Sequence, residues 1–395
     1  MPESTNPILI RHLAPKNFLS FGPDNAGVDL RALNVFIGPN GSGKSNLIEA
    51  ISLMRAAPKD WQEATRKGGG VGEWIWKGGR DSNAAITVTF MGRGSAVPLV
   101  HEMAFKEHGQ RFDLAEEKIH DQVESGGMET GYYSTAYGDG GPTVARVNSE
   151  GEQDWETAPS KPGQSILSLL RDPVHFPEIT WLADTYERVR IYREWSFGRN
   201  SIFRVPQPAD MRNAKLEEDC SNLGLFLSKL RKVPKAKKAI IDNLKKLYEG
   251  LTDFEVVAEG GTVQVFFTEG DFSISATRLS DGALRYLCLL AILCDPEPPP
   301  LICIEEPELG LHPDILPTVA DLLKSASERT QLIVTTHSDI LVDAMTDRPE
   351  SVVVCEKHEG KTEMTRLSAS DLAAWLKKYR LGQLWIQGQL GGTRW

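Results

Sequence analysis

Leu33-Asn34-Val35-Phe36-Ile37-Gly38-Pro39-Asn40-Gly41-Ser42-Gly43-Lys44-Ser45 is the stretch that decides the fold. Its first five residues are a short apolar run of strand length. The next eight fit G-x-x-x-x-G-K-[ST], the glycine-rich loop that cradles the phosphates of a nucleoside triphosphate. Residues 46–54 then place Leu47, Ile48, Ile51 and Met54 on one helical face. Strand, loop and helix in that order are the context in which the motif works. The glycines allow close backbone approach, and successive N–H groups at a helix N-terminus form an anion nest. In such a loop Lys44 reaches the terminal phosphates and the Ser45 hydroxyl ligates Mg²⁺. Gly38, Asn40, Gly41, Ser42, Gly43 and Asn46 complete the ATP-binding candidates of this segment.

Three further motifs lie far downstream. Residues 301–304 are an apolar strand ending in Glu305-Glu306-Pro307-Glu308. The carboxyl end of a strand in a parallel sheet faces the ligand crevice. Glu305 there suits a Mg²⁺ ligand and Glu306 suits the group that polarises an attacking water. The plain alternative is an acidic helix N-terminus complementing the dipole. Residues 331–335 form a second apolar strand, followed by Thr336, His337 and Ser338. His337 at that strand end can donate to a γ-phosphate; otherwise it is a loop histidine capping the next helix. Leu279-Ser280-Asp281-Gly282 precedes an apolar helix. Ser280 is a good N-cap, or its hydroxyl and the Gly282 N–H contact a phosphate at that helix N-terminus.

The order of these motifs resembles the ATP-binding-cassette ATPases, and within them the RecF/SMC-like branch. The resemblance covers residues 8–90 and 254–356. It implies an α/β fold: an ABC-type P-loop ATPase head with a mixed or parallel sheet, an antiparallel β subdomain and a helical insertion lobe. By position it implies Lys44 and Ser45 as the Walker A pair, Leu301–Glu305 as the Walker B strand, Glu306 as catalytic base and His337 as switch histidine. It makes residues 309–313 the D-loop and residues 280–282 the signature, contacting ATP held by a second copy. A head-to-tail homodimer sandwiching two ATP molecules follows from it. This chain departs from the pattern at the signature, Leu279-Ser280-Asp281-Gly282-Ala283-Leu284-Arg285, and by holding Glu305 where many members carry Asp. No glutamine takes the Q-loop place. Phe18 and Phe21 fall where related heads contact adenine, or serve the core.

No long heptad coiled coil interrupts residues 46–279, which separates the chain from SMC proteins. The signature differs from that of transporter subunits. No Asp-x-Asp pair follows His337, which argues against an attached TOPRIM nuclease. The whole chain resembles stand-alone RecF/OLD-like ATPases of bacteria, including residues 191–195 and 379–395. That resemblance implies a separate TOPRIM-like nuclease or other effector as partner, in anti-phage defence or DNA repair.

Composition is that of an ordinary soluble protein. The chain has 395 residues, 41% of them apolar and 25% charged, and a formal net charge of −10. DNA contact would therefore need a local patch. Residues 229–246 offer one, with Lys229, Arg231, Lys232, Lys235, Lys237, Lys238, Lys245 and Lys246 against Asp242 alone. A solvated helix face is the plain reading. The arginines of residues 188–212 have acids beside them and suit internal ion pairs. Trp385 and Trp395 dock on the core or anchor a partner. The five cysteines lack metal spacing and read as buried free thiols. No run is long enough for a membrane helix and no signal-peptide core follows Met1, so a cytoplasmic protein is expected.

Patterning predicts short strands over residues 8–37 with a turn at 22–25, then strands at 86–90, 101–106 and 111–120. Residues 121–165, rich in Gly, Ser, Asp and Pro, read as a hairpin with long loops. Helices are expected at 166–170, 179–192, 223–230 and 235–248, and strands at 254–257 and 262–268. Helix 283–293, strand 301–304, helix 316–326, strand 331–335, helix 340–344 and strand 351–354 then alternate, which implies a parallel sheet. The expected organisation is residues 1–160, an N-terminal ATPase half; 161–252, a helical lobe; and 253–395, a C-terminal ATPase half.

Overall fold

The computed structural model describes residues 7–79, 83–91, 97–109, 111–122, 131–135, 141–148, 152–195, 198, 201 and 204–391. The chain packs into two compact units. The first comprises Met1–Val189, Glu350–Ser368 and Gly388–Trp395; the second comprises Arg190–Pro349 and Ala369–Gln387. The expected three-part division cuts at 160 and 252, whereas by packing the chain crosses between units after residues 189, 349, 368 and 387.

In the first unit, Leu33–Ile37 is buried along its whole length. It pairs in parallel with Val352–His358, which turns back through antiparallel Lys361–Arg366. A parallel strand covered on both faces needs such a largely apolar run, interrupted here by the buried Asn34. Lys44–Arg55 follows as a helix and buries Leu47, Ile48, Ile51 and Met54. A separate antiparallel sheet of eight strands surrounds this motif in sequence. Its order is Val28–Asp29, Ile10–Lys16, Asn83–Phe90, Leu99–His108, Arg111–Asp121, Gly131–Ser134, Thr143–Val147, Gln153–Thr157. Its inward face carries Leu13, Ile86, Met103, Phe105 and Ile119. The expected hairpin of residues 121–165 contributes its last three strands; residues 123–130, 136–140 and 149–151 lie outside the described residues. Phe18 and Phe21 are fully buried, Phe18 against Trp74 and Phe105, so both are core residues.

The second unit has its own parallel strands: Arg190–Tyr192 beside Leu301–Glu305 beside Gln331–Thr335. Helices Asp281–Leu293, Leu316–Ala326 and Asp339–Asp343 accompany them. A smaller antiparallel sheet holds Gln207–Pro208, Thr262–Glu269, Leu251–Glu259 and Phe272–Ser275. Helices Leu223–Arg231 and Pro234–Leu247 bury Phe226, Leu227, Ile240 and Leu244.

One helix expectation needs correction. Residues 179–192 are not a continuous helix: Pro177–Arg188 is helical, Val189 turns extended, and Arg190–Tyr192 is a strand. Ile191 and Tyr192 continue the apolar spacing of the helix, but pairing with residues 302–304 takes them into the sheet. All five cysteines are buried and free of disulfides. Among the described residues no helix is long and apolar enough to cross a membrane.

Candidate active site

The glycine-rich loop of the first unit is held open by its own backbone and by two hydroxyls. Gly38, Gly41 and Gly43 all have positive φ, at 147°, 79° and 98°. Lys44 opens the helix, and its Nζ donates to the carbonyl oxygens of Gly38 and Pro39 at 2.9 and 3.0 Å. No side chain caps this helix at Gly43. Its dipole and N-terminal amides therefore suit an anion. The Thr362 hydroxyl lies 2.8 Å from the Ser42 carbonyl oxygen and 2.7 Å from Ser20 Oγ. Asn46 Nδ2 donates to the same Ser20 oxygen at 2.7 Å. Ser20 and Thr362 thus position the loop, a role the sequence reading did not assign. Ser42 Oγ is buried with no hydrogen-bond partner among the described residues, and Ser45 is exposed.

Gly43 has no substitute. A Cβ there would fall 2.1 Å from Thr362 Oγ1 and 2.6 Å from Ser20 Oγ, at a left-handed φ. That conformation alone costs an L-residue about 1–2 kcal/mol. Gly43→Ala is therefore expected to weaken nucleotide binding at least about tenfold, read by titration with a fluorescent ATP analogue. Unchanged affinity would show that the loop shape is dispensable.

The second unit gathers the acidic candidates. Leu301–Glu305 is buried until its last residue, where Glu305 is half-buried. Glu306 follows with φ 47°, a left-handed conformation for a residue with a side chain. Its N–H donates to the Thr335 carbonyl at 2.9 Å, and its carboxylate Oε1 lies 3.7 Å from His337 Nε2. Both side chains are partly exposed, 40% and 35%. The strand pairing that places Glu305 opposite Thr335 brings these two strand ends together. Glu308, which the sequence reading left without a role, fixes the turn. Its Oε1 accepts from the Thr336 hydroxyl at 2.8 Å and from the His337 N–H at 2.7 Å. Ser338, not His337, caps the next helix.

Ser280 is the N-cap of Asp281–Leu293, accepting from the Ala283 N–H at 3.1 Å. Asp281 beside it receives Arg204 and the Gly198 N–H. The Arg204 guanidinium, helped by that N–H, holds the Asp281 carboxyl below its usual range. A Cβ on Gly282 would sit 2.6 Å from the Gly310 carbonyl oxygen, so this helix start lies directly against the loop that follows Glu308.

The Ser45 hydroxyl in the first unit, and the Glu305 carboxylate in the second, are each hard oxygens of the kind that magnesium takes. Magnesium typically takes one or two such protein ligands together with substrate phosphates. Among the described residues no cluster of three or more His, Cys, Asp or Glu is arranged to hold a metal.

Other sequence candidates have different surroundings. In the basic stretch, Arg231 and Lys237 pair with Asp253, and Lys229 donates to the Ala214 carbonyl. Lys232, Lys235, Lys238, Lys245 and Lys246 are exposed. Trp385 is buried in its own unit, and Trp395 lies outside the described residues.

Comparison with known proteins agrees with this architecture. The Smc head bound to the C-winged helix domain of ScpA superposes with a TM-score of 0.58 at 15% identity, covering 92% of this chain and 99% of that one. A Smc head with an extended coiled coil, bound to the C-terminal domain of ScpA from Pyrococcus furiosus, gives 0.57 at 14% identity, covering 94% and 99%. The fold is therefore that of SMC-type ATPase heads. In sequence, the Old nuclease of Escherichia phage P2 is 22% identical over 232 residues. That match takes in 52% of this chain, which spans about two fifths of the nuclease, 39% of its length. A family described as "AAA domain, putative AbiEii toxin, Type IV TA system" matches residues 33–89 and 162–343. The chain belongs to that AAA-domain family.

Proposed function

We propose that the protein is a Mg²⁺-dependent ATPase that works as an ATP-gated switch for a DNA-directed effector on another chain. The observation that carries the reading is the glycine loop: three positive-φ glycines leading into an uncapped helix that begins Lys44-Ser45. Lys44 neutralises phosphate charge there, with the backbone amides of residues 41–46 around the phosphates. Ser45 and Glu305 would hold Mg²⁺, which would offset negative charge on the phosphate oxygens. Glu306 accepts the proton of the attacking water. His337, oriented through Glu308, donates to the γ-phosphate. Catalysis is then mostly positioning and electrostatic stabilisation.

The dimer belongs to the same proposal. Ser280 and Gly282 of one copy close on the ATP of another, so association depends on nucleotide. The effector of this proposal is a nuclease, as the name of the Old nuclease suggests, or a comparable protein on a separate polypeptide, in anti-phage defence or DNA repair. A second reading is a self-sufficient DNA-bound ATPase. The exposed lysines at 232, 235, 238, 245 and 246 favour it.

Lys44→Ala is the direct test of the nucleotide site. Losing this ammonium should reduce ATP binding beyond detection in calorimetry while leaving thermal stability near that of the parent. Equal ATP affinity in both proteins would exclude the loop as the site. DNA stimulation of the pure ATPase, falling steeply with salt, would favour the second reading.

A further inference from the structure

Two side chains outside the motifs close on the backbone of the acidic pair. Trp195 Nε1 donates to the Glu305 carbonyl at 2.9 Å. Arg285 donates through Nη2 to the Glu306 carbonyl oxygen. The Arg285 guanidinium lies over the Trp195 ring, 4.2 Å from its centroid. Together with the bond from the Glu306 N–H to Thr335, three consecutive backbone polar groups around the left-handed Glu306 are held.

We propose that Trp195 and Arg285 form a clamp that holds Glu306 in its left-handed conformation and so couples the helix starting at Ser280 to the catalytic carboxylate.

The argument begins with strain. A non-glycine residue in this region of φ is strained and persists only where its surroundings over-determine it. Here the surroundings are specific. Arg285 is 1% exposed, an uncommon place for a guanidinium. Burial pulls it down to about 10, while Glu308 and Glu306 nearby favour its charge. It remains charged at neutral pH, and a desolvated cation is attracted strongly to an aromatic face. Arg285 therefore has a reason to stay on Trp195, and both point their donors at adjacent carbonyls.

Placement gives the clamp its consequence. Trp195 follows the edge strand Arg190–Tyr192, which runs parallel to Leu301–Glu305, so both chains leave the sheet at the same end. Arg285 stands in the second turn of the helix capped by Ser280. That helix is also gripped at its start by Arg204 and the Gly198 N–H through Asp281, from the same segment that carries Trp195. A shift or rotation of the helix moves the guanidinium and hence the Glu306 carbonyl. Under the proposed function, on which the catalytic half of this inference rests, engagement of residues 280–282 by nucleotide would then be felt at the general base.

The test uses Trp195→Ala, Arg285→Gln and Arg285→Lys in the full chain. ATP hydrolysis, nucleotide affinity and amide hydrogen exchange over residues 305–309 are measured for each. The clamp predicts at least about a tenfold loss of kcat for the first two, since a misplacement of about 1 Å can cost about 10²-fold. KM and nucleotide affinity should stay within about threefold, and Arg285→Lys should recover part of kcat. Exchange at 305–309 should quicken in Trp195→Ala and Arg285→Gln while the melting temperature changes little. Parental kcat with unchanged exchange would overturn the clamp, and so would a parallel collapse of kcat, affinity and melting temperature. If the unaltered chain hydrolyses no ATP, the proposed function falls, and the exchange data alone decide whether Trp195 and Arg285 hold the Glu306 backbone.

Discussion

Glu306→Gln is expected to bind ATP as tightly as the unaltered chain and to hydrolyse it about 10²–10⁴-fold more slowly, the usual worth of a positioned general base. The substitution keeps size and planarity. The backbone bonds that fix residue 306, to Thr335 and from Arg285, involve no side-chain atom of Glu306 and remain. The lost element is the proton acceptor, together with its charge 3.7 Å from His337 Nε2. Binding should survive because Lys44, Ser45 and the amides of residues 41–46 are untouched. Single-turnover hydrolysis and equilibrium binding on the same preparation check both halves. A Glu306→Gln protein with parental turnover would remove Glu306 as the base. Loss of binding would instead make it a substrate-holding group.

The second large effect concerns folding. Glu117 and His101 are both 0% exposed in the first unit. His101 Nε2 lies 3.1 Å from Glu117 Oε1, and Nδ1 lies 2.9 Å from the Tyr186 hydroxyl. The Ser165 hydroxyl donates to the same Glu117 oxygen at 2.5 Å, and the Ile166 N–H donates to the other at 3.0 Å. Burial, with Glu117 adding to it, pushes the Tyr186 phenol far above its ordinary value, so the hydroxyl keeps its proton. One carboxylate therefore joins the strand Arg111–Asp121 to the start of helix Ile166–Leu169 and, through His101, to helix Pro177–Arg188. Glu117→Ala strips the acceptor from three buried donors. Breaking a buried pair on one side costs about 3–5 kcal/mol, a large part of the roughly 5–15 kcal/mol that holds a domain. Urea unfolding should show a loss in that range, with Glu117→Gln milder because an acceptor oxygen remains. A loss under about 1 kcal/mol would mean that the cluster contributes little to folding.

How much of this was legible in the sequence differs by element. The strand Leu33–Ile37 and its helix were plain because three signals coincide: an apolar run, the glycine spacing and a 3.6-residue period. Leu316–Ala326 and Gln331–Thr335 emerged with their expected bounds, since burial on one face or both leaves a clean pattern. Arg190–Tyr192 was misjudged because its apolar residues fit a helix equally well, and only its partner strand separates the two. Strand Lys361–Arg366 went unassigned, although its signal was present. Glu359-Gly360, both at positive φ, make a two-residue turn between strands that pair His358 with Lys361.

The site divided in the same way. Local motifs named the candidates from Gly38 to His337 directly. They did not name Ser20, Thr362, Glu308, Trp195 and Arg285, because each acts on a group distant in sequence. Ser20 and Thr362 are separated by 342 positions and still lie 2.7 Å apart. No spacing rule encodes such a pairing; the sheet register does.

The central claim is that ATP gates association through Ser280 and Gly282. Light scattering on Glu306→Gln, with bound nucleotide counted in the same fractions, tests it most directly. The account predicts a shift from the 43.7 kDa of one chain to twice that mass when Mg²⁺ and ATP are added, with one nucleotide per chain. Ser280→Arg should bind ATP and stay single. A nucleotide-loaded Glu306→Gln protein that remains at the mass of one chain would contradict the account.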